Sequence, residues 1–223
     1  MKNVFRTALL SLLAGSGAIG SANAAIVISE VDSAASGNST YAFDWFELTN
    51  TGASAVNITG WKMDDDSNSF AAGVVLTGVS SIAAGQSVVF ANSTTSSALT
   101  SFVTNWFGGT APAGFTLGTY VGSGTGLSTT ADAVNIFDSL GALQANVLFG
   151  AATSGKSFDN AAGLNNATIT QLSAVGVNGA FAGADGRIGS PGSVAPVPVP
   201  AAIWLLGSGL GLLGAARRRR RAG

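Results

Sequence analysis

Apolar residues in this chain fall in short runs, several of them alternating with polar ones, and the runs are broken by Gly, Ser, Asn and Thr. Short alternating runs bounded by turn residues predict strands rather than helices. Residues 26–32, Ile-Val-Ile-Ser-Glu-Val-Asp, form the first, and a loop over 33–40 follows. In residues 43–50, Phe46 and Leu48 fall on one face and Trp45 and Glu47 on the other, as pleating requires. A turn at 51–54 leads to a strand opening at 56–58 and ending near Trp61, and Asp64, Asp65 and Asp66 then make a polar, acidic loop. Residues 74–76 and 87–90 read as strands around a turn at 83–86. The clearest hairpin joins 133–137 to 143–149, with Val134 and Ile136 alternating in one arm and Leu143, Ala145, Val147 and Phe149 in the other. Gly141 suits the positive φ of its turn. A last candidate strand lies at 167–172, and 187–192 closes the body. One short helix is predicted over 97–107, where Leu99, Phe102, Val103 and Trp106 share a face, and the Gly-rich remainder of 92–130 reads as loop. The pattern as a whole predicts an all-β sandwich or barrel.

Both ends depart from it. Residues 1–24 carry Lys2 and Arg6, an apolar stretch too short to span a bilayer, and Ala22-Asn23-Ala24. That three-part order predicts a signal helix cleaved by signal peptidase after Ala24, with Ala22 and Ala24 as the small residues it reads. At the other end an apolar run, residues 201–216, stops against Arg217, Arg218, Arg219, Arg220 and Arg221. Sixteen residues make roughly 24 Å of helix, slightly short of a ~30 Å hydrocarbon core, and the preceding Pro-rich residues can complete a transmembrane helix. The arginines act as a stop-transfer block held on the cytoplasmic side. Gly207 and Gly211 give a spacing that permits close helix contact. The chain thus divides into a signal peptide (1–24), a β-sandwich body (25–194) and a C-terminal segment (195–223).

Charge follows the same division. All eleven acidic residues lie in the body, opposed there only by Lys62, Lys156 and Arg187, so the near-neutral total hides a body of net charge −8. An acidic body excludes nucleic acid as a partner, because phosphate binding needs clustered Lys and Arg. The chain has no Cys, so no disulfide holds it, and no His, which removes the usual zinc sites and His-dependent triads.

The remaining candidate chemistry is carboxylate. Glu30, Asp32, Asp44, Glu47 and Asp64–66 are close enough in sequence for strand ends to gather some of them. Asp44, Asp64, Asp65 and Asp66 are the candidate calcium ligands, since hard cations take several oxygen ligands at close range. No EF-hand spacing is present, and three aspartates in a row alternate direction in an extended chain, so a solvated loop is the competing reading. Glu30 and Glu47, the only glutamates, are the candidate pair for glycoside hydrolysis. Lys62 or Lys156 could serve a Ser–Lys nucleophile, although neither lies in a catalytic motif. Trp45, Trp61 and Trp106 are either a sugar platform or packing.

Two resemblances add to this reading. The strand Ile26-Val27-Ile28-Ser29-Glu30-Val31, then Asp44-Trp45-Phe46-Glu47-Leu48-Thr49-Asn50-Thr51-Gly52, then Val56-Asn57-Ile58-Thr59-Gly60-Trp61 and an acidic stretch resemble the lamin-tail domain. Ala131-Asp132-Ala133-Val134-Asn135-Ile136-Phe137-Asp138 and Ser190-Pro191-Gly192 fit the same pattern. The resemblance implies an immunoglobulin-like β-sandwich acting as an interaction or attachment module, with residues 92–130 as an insertion. Val197, Pro198, Val199, Pro200, Ala201 and Ala202, followed by the apolar run and arginines, resemble the PEP-CTERM sorting signal of Gram-negative bacteria that make exopolysaccharide. Pro198-Val199-Pro200 stands where that family's namesake has Pro-Glu-Pro. This second resemblance implies recognition by a membrane exosortase, a transient single-pass anchor, and delivery to the cell surface or extracellular matrix. The expectation is an exported, non-enzymatic structural, adhesive or binding module associated with extracellular polysaccharide and needing no cofactor. The alternative is a surface hydrolase of polysaccharide that works through acidic residues.

Overall fold

Fourteen strands and one helix make up the described part of the chain, residues 26–193 of a computed structural model. The signal segment, the sorting residues 197–202, the apolar run 201–216 and the arginine block lie outside the described residues. Among the described residues no helix is long and apolar enough to cross a membrane.

The strands are β1 (Ile26–Asp32), β2 (Trp45–Asn50), β3 (Val56–Asn57), β4 (Lys62–Asp64), β5 (Val74–Val75), β6 (Ser81–Ile82) and β7 (Ser87–Ala91). After helix α1 (Ser96–Phe107) come β8 (Leu117–Thr119), β9 (Asp132–Phe137), β10 (Leu143–Phe149), β11 (Phe158–Asp159), β12 (Ala167–Ile169), β13 (Phe181–Ala182) and β14 (Ile188–Gly189). One five-stranded sheet has the order β11-β1-β2-β7-β8 and the other β12-β10-β9-β4-β5, with two small ribbons, β13-β14 and β3-β6. Their inner faces meet in one apolar core. Ile28, Phe46, Leu48, Val88 and Phe90 come from the first sheet, and Met63, Val134, Ile136, Val147 and Phe149 from the second. At about 25 cal/mol per Å² this burial is the main force holding the sandwich shut.

The outer face of the first sheet is covered as well. Helix α1 lays Phe102 and Trp106 on Trp45, Val89 and Ala91, and Tyr41 and Phe43 join them. The protein is therefore three layers deep at this point, and β1, β2 and β7 are buried along their whole lengths. The predicted helical face is confirmed at Phe102 and Trp106, and the helix ends where Gly108, at φ 67°, donates its N–H to Thr104 O.

Some strands depart from simple alternation. Between Ile28 and Glu30 the register of β1 against β2 slips by one, so Ser29 is an extra residue. Ile26 and Ile28 face the core, the bulge changes the phase, and Val31 faces it again. Glu30 and Asp32 are thereby carried to the outer face, opposite Glu47 and Trp45. A second bulge, between Leu143 and Ala145, puts Leu143 opposite Phe137 instead of in the core, which corrects the alternation expected for that arm. The Gly-rich stretch expected to be loop contains β8, an edge strand parallel to β7. A Cβ on Gly118 would lie 2.5 Å from the Phe90 ring, so only glycine permits this approach.

Candidate functional site

The strongest concentration of unusual chemistry lies on the outer face of the first sheet, where the bulge in β1 has delivered two carboxylates. Glu30 and Glu47 are directly opposed across β1 and β2, and each is 1% exposed. Their oxygens are taken by the closing segment and by neighbouring hydroxyls. Ser190 donates its N–H (2.8 Å) and its hydroxyl (2.9 Å) to the two Glu30 oxygens, and Ser157 donates its hydroxyl as well. Gly192 donates its N–H to Glu47 at 2.5 Å and Ser29 its hydroxyl at 2.7 Å. Hydroxyl contacts then run from Ser29 through Thr49 (2.8 Å) to Ser87 (2.6 Å), and Ser87 reaches Ser193 O at 3.0 Å.

Burial pushes Glu30 up to about 7, against the hydrogen bonds from Ser157 and Ser190 that pull it down. Burial, and then the charge of Glu30, raise Glu47 well above the usual carboxylate range. Near neutral pH the pair therefore holds less than its full double charge. Its chemistry is that of a clamp: two strand carboxyls accept three donors from residues 190–192 and fix where the chain leaves the sandwich.

A second clamp stands next to the first. Arg187 reaches Asp32 with two nitrogens, at 2.6–3.1 Å, and donates to Asn38 O at 3.3 Å. Both side chains are almost fully buried. Burial pushes Asp32 up while the guanidinium draws it down; burial also pulls Arg187 down, but the charge and hydrogen bonds of Asp32, with the charges of Tyr41 and Asp185, together raise it. A bidentate Arg–carboxylate pair is the geometry in which buried charges compensate each other best.

The other sequence candidates are dispersed. Asp44 stands just before β2 and accepts the Ser36 N–H at 2.8 Å. Asp64, in the opposite sheet, is buried and accepts from the Ser67 hydroxyl and the Ser69 N–H, both at 2.7 Å, which corrects its reading as solvated loop. Asp65 offers its carbonyl to the Asn135 amide, and Asp66 is exposed. The four aspartates thus do not converge, and among the described residues no group of three or more such side chains is placed to hold a metal ion. Trp45, Trp61 and Trp106 are buried at 0, 7 and 4% exposure, so they are packing and not a sugar platform. The Lys62 ammonium donates to Phe70 O at 3.2 Å and lies over the Phe70 ring.

Sequence reasoning missed Arg187 as a charge partner and Asp159 altogether. Asp159 pairs with Glu30 across β1 and β11, and its carboxylate fixes the amides of Gln171 (3.0 Å) and Asn178 (2.8 Å). These residues, with Thr168 and Thr170, line a polar cleft of about 460 Å³. Polar residues scattered over 159–178 carry no periodic signal, so nothing short of the fold would have gathered them.

No curated protein matches the chain. A family model described as Lamin Tail Domain matches residues 20–151, which include Glu30, Asp32 and Glu47 but end before Ser157, Arg187 and the closing segment. With that match and a mostly-β, immunoglobulin-like sandwich, this chain belongs to the lamin tail domain family.

Proposed function

We propose that this protein is an exported attachment module, sorted by an exosortase through residues 197–202 and presented at the cell surface or in the extracellular matrix, where it binds polysaccharide without turning it over. The observation that carries the non-catalytic reading is the fate of the glutamate pair. Glu30 and Glu47 are buried and spend their oxygens on residues 190–192 and on serine hydroxyls, with none left toward solvent. A general acid must reach the glycosidic oxygen of its substrate. The sorting and membrane-anchor reading rests on the Pro motif, the apolar run and the arginines, and the export reading on the leader.

Polysaccharide contact is assigned to the polar cleft at Asp159, Gln171 and Asn178, where amides held by a carboxylate present fixed donors and acceptors. The test has two parts. C-terminal mass spectrometry of surface or secreted material should show chains lacking Arg217–221, and an intact arginine tail on released protein overturns sorting by cleavage. The host's exopolysaccharide should be bound but not cleaved, and Asn178→Ala with Gln171→Ala should weaken that binding. Turnover abolished by Glu30→Gln or Glu47→Gln would establish the hydrolase alternative instead.

A further inference from the structure

A second cleft adjoins the glutamate clamp and has no part in the proposed polysaccharide contact. It measures about 430 Å³ and lies beside the last described residues, between the end of α1 and the loop before β8. Phe107, Phe115 and Phe181 line it, with Pro112 on one side and Pro191 and Gly192 on another. The three rings are half-buried. Phe107 meets Phe115 edge-on at 4.7 Å and lies 6.0 Å from Phe181, which makes a continuous aromatic wall. The cleft has no charged lining residue.

We propose that this aromatic cleft is the docking site for the chain's own Pro-rich segment, residues 194–200. Three observations choose that occupant. The chain already enters the cleft: Gly192 passes so close to Phe115 that a Cβ there would stand 2.5 Å from the ring, and Ser87 holds Ser193 O at 3.0 Å. The next seven residues, Val-Ala-Pro-Val-Pro-Val-Pro, are uncharged and apolar, as the wall is. Alternating Pro and Val favours the extended polyproline form, at about 3.1 Å per residue, so the segment reaches roughly 22 Å and can cross the cleft. Proline-rich strands dock on aromatic grooves because little chain entropy remains to be lost, and a tether starting inside the cleft supplies a high effective concentration. Docking at this site would place the Pro motif against the sandwich and set the distance between the body and any apolar run beyond it. The docking does not depend on the sorting function, whereas its consequence for sorting rests on that reading.

The full chain in detergent micelles, with valine methyls isotopically labelled, tests this. The Val197 and Val199 methyls, assigned by loss of signal in Val197→Ala and Val199→Ala, should be shifted upfield by the rings and show cross-relaxation to Phe115. A proline-specific endoprotease that accepts intact proteins should cut after Pro196, Pro198 and Pro200 about tenfold more slowly than in a free peptide of the same sequence. A Phe115→Ser, Phe181→Ser variant that keeps the wild-type circular dichroism should lose both effects. Random-coil methyl shifts and unprotected cleavage in the wild type overturn the proposal. So does cross-relaxation seen only between differently labelled chains and lost on dilution, which would make a second copy the occupant. These readouts need no exosortase, so they separate failure of docking from failure of the sorting reading.

Discussion

The two faces of the first sheet are built on opposite principles. Its inner face meets the second sheet through Ile28, Phe46, Leu48, Val88 and Phe90, with no charged side chain among them. Its outer face buries Glu30, Glu47 and Asp32 beside Trp45 and pairs them with Arg187 and residues 190–192. The inner face needs only shape and apolar area, and many residues would serve there. Each buried carboxyl on the outer face needs a specific donor, because a polar group buried without one is penalised. The inner face closes the sandwich, while the outer face specifies where the C-terminal segment lies.

Substitutions can break this contrast. The two largest effects should be alike in size and opposite in behaviour when doubled. Phe46→Ala should cost about 3–5 kcal/mol in urea unfolding, since its ring stacks on Phe90 at 5.5 Å, and adding Phe90→Ala should destabilise further. Arg187→Met should also cost about 3–5 kcal/mol by leaving Asp32 buried and unpaired, but adding Asp32→Leu should recover most of the loss. If the second double variant is as unstable as Arg187→Met alone, the outer-face charges are not a compensated pair.

pH should separate the faces next. The folded value of Glu30, about 7, lies above its ordinary 4.5, so protonation favours folding. That contribution is fully present below about pH 4.5 and is lost as the pH rises through about 7, a difference on the order of 3 kcal/mol. Urea midpoints should therefore rise on acidification from pH 7.5 to 5. Glu47→Gln should flatten the slope, whereas Phe90→Leu should leave it unchanged. A midpoint that is flat between those pH values in the wild type would refute the buried pair as a titrating clamp.

Smaller effects sharpen the picture. Gly192→Ala should cost about 2 kcal/mol, from a φ of 75° and the contact with Phe115, and should loosen the closing segment more than the core in hydrogen exchange. Asp66→Asn, at an exposed position, should change stability by less than about 0.5 kcal/mol. Calcium should not shift the melting temperature of either protein. A calcium-dependent rise abolished by Asp66→Asn would show that the acidic loop gathers ligands after all.

Much of the inner face was legible because it obeys the period of two. Phe46 and Leu48, Val134 and Ile136, and Val147 and Phe149 all point where alternation puts them. Alternation failed at Ser29 and Gln144, where an extra residue shifts the phase without leaving a mark in composition. Strand β8 was hidden because Gly118 must be small to lie on Phe90, and small residues carry no apolar signal. The acidic stretch was misread at Asp64 because Ser67 and Ser69 can donate to its carboxylate only once the loop turns back.

By itself the sequence determined the strand pattern, the hydrophobic set that closes the sandwich, the helix over Phe102 and Trp106, and the acidic character of the body. These are local or periodic properties, readable wherever apolar spacing matches an element's repeat. Only the tertiary structure decided that Glu30 faces Glu47, that Asp32 meets Arg187, and that residues 190–192 bind the glutamates. The residues in the last two relations stand about 145 to 160 positions apart, and no local pattern encodes such a pairing. It exists because two strands bring the carboxyls into a buried space, where donors from a returning segment of the same chain complete their hydrogen bonds.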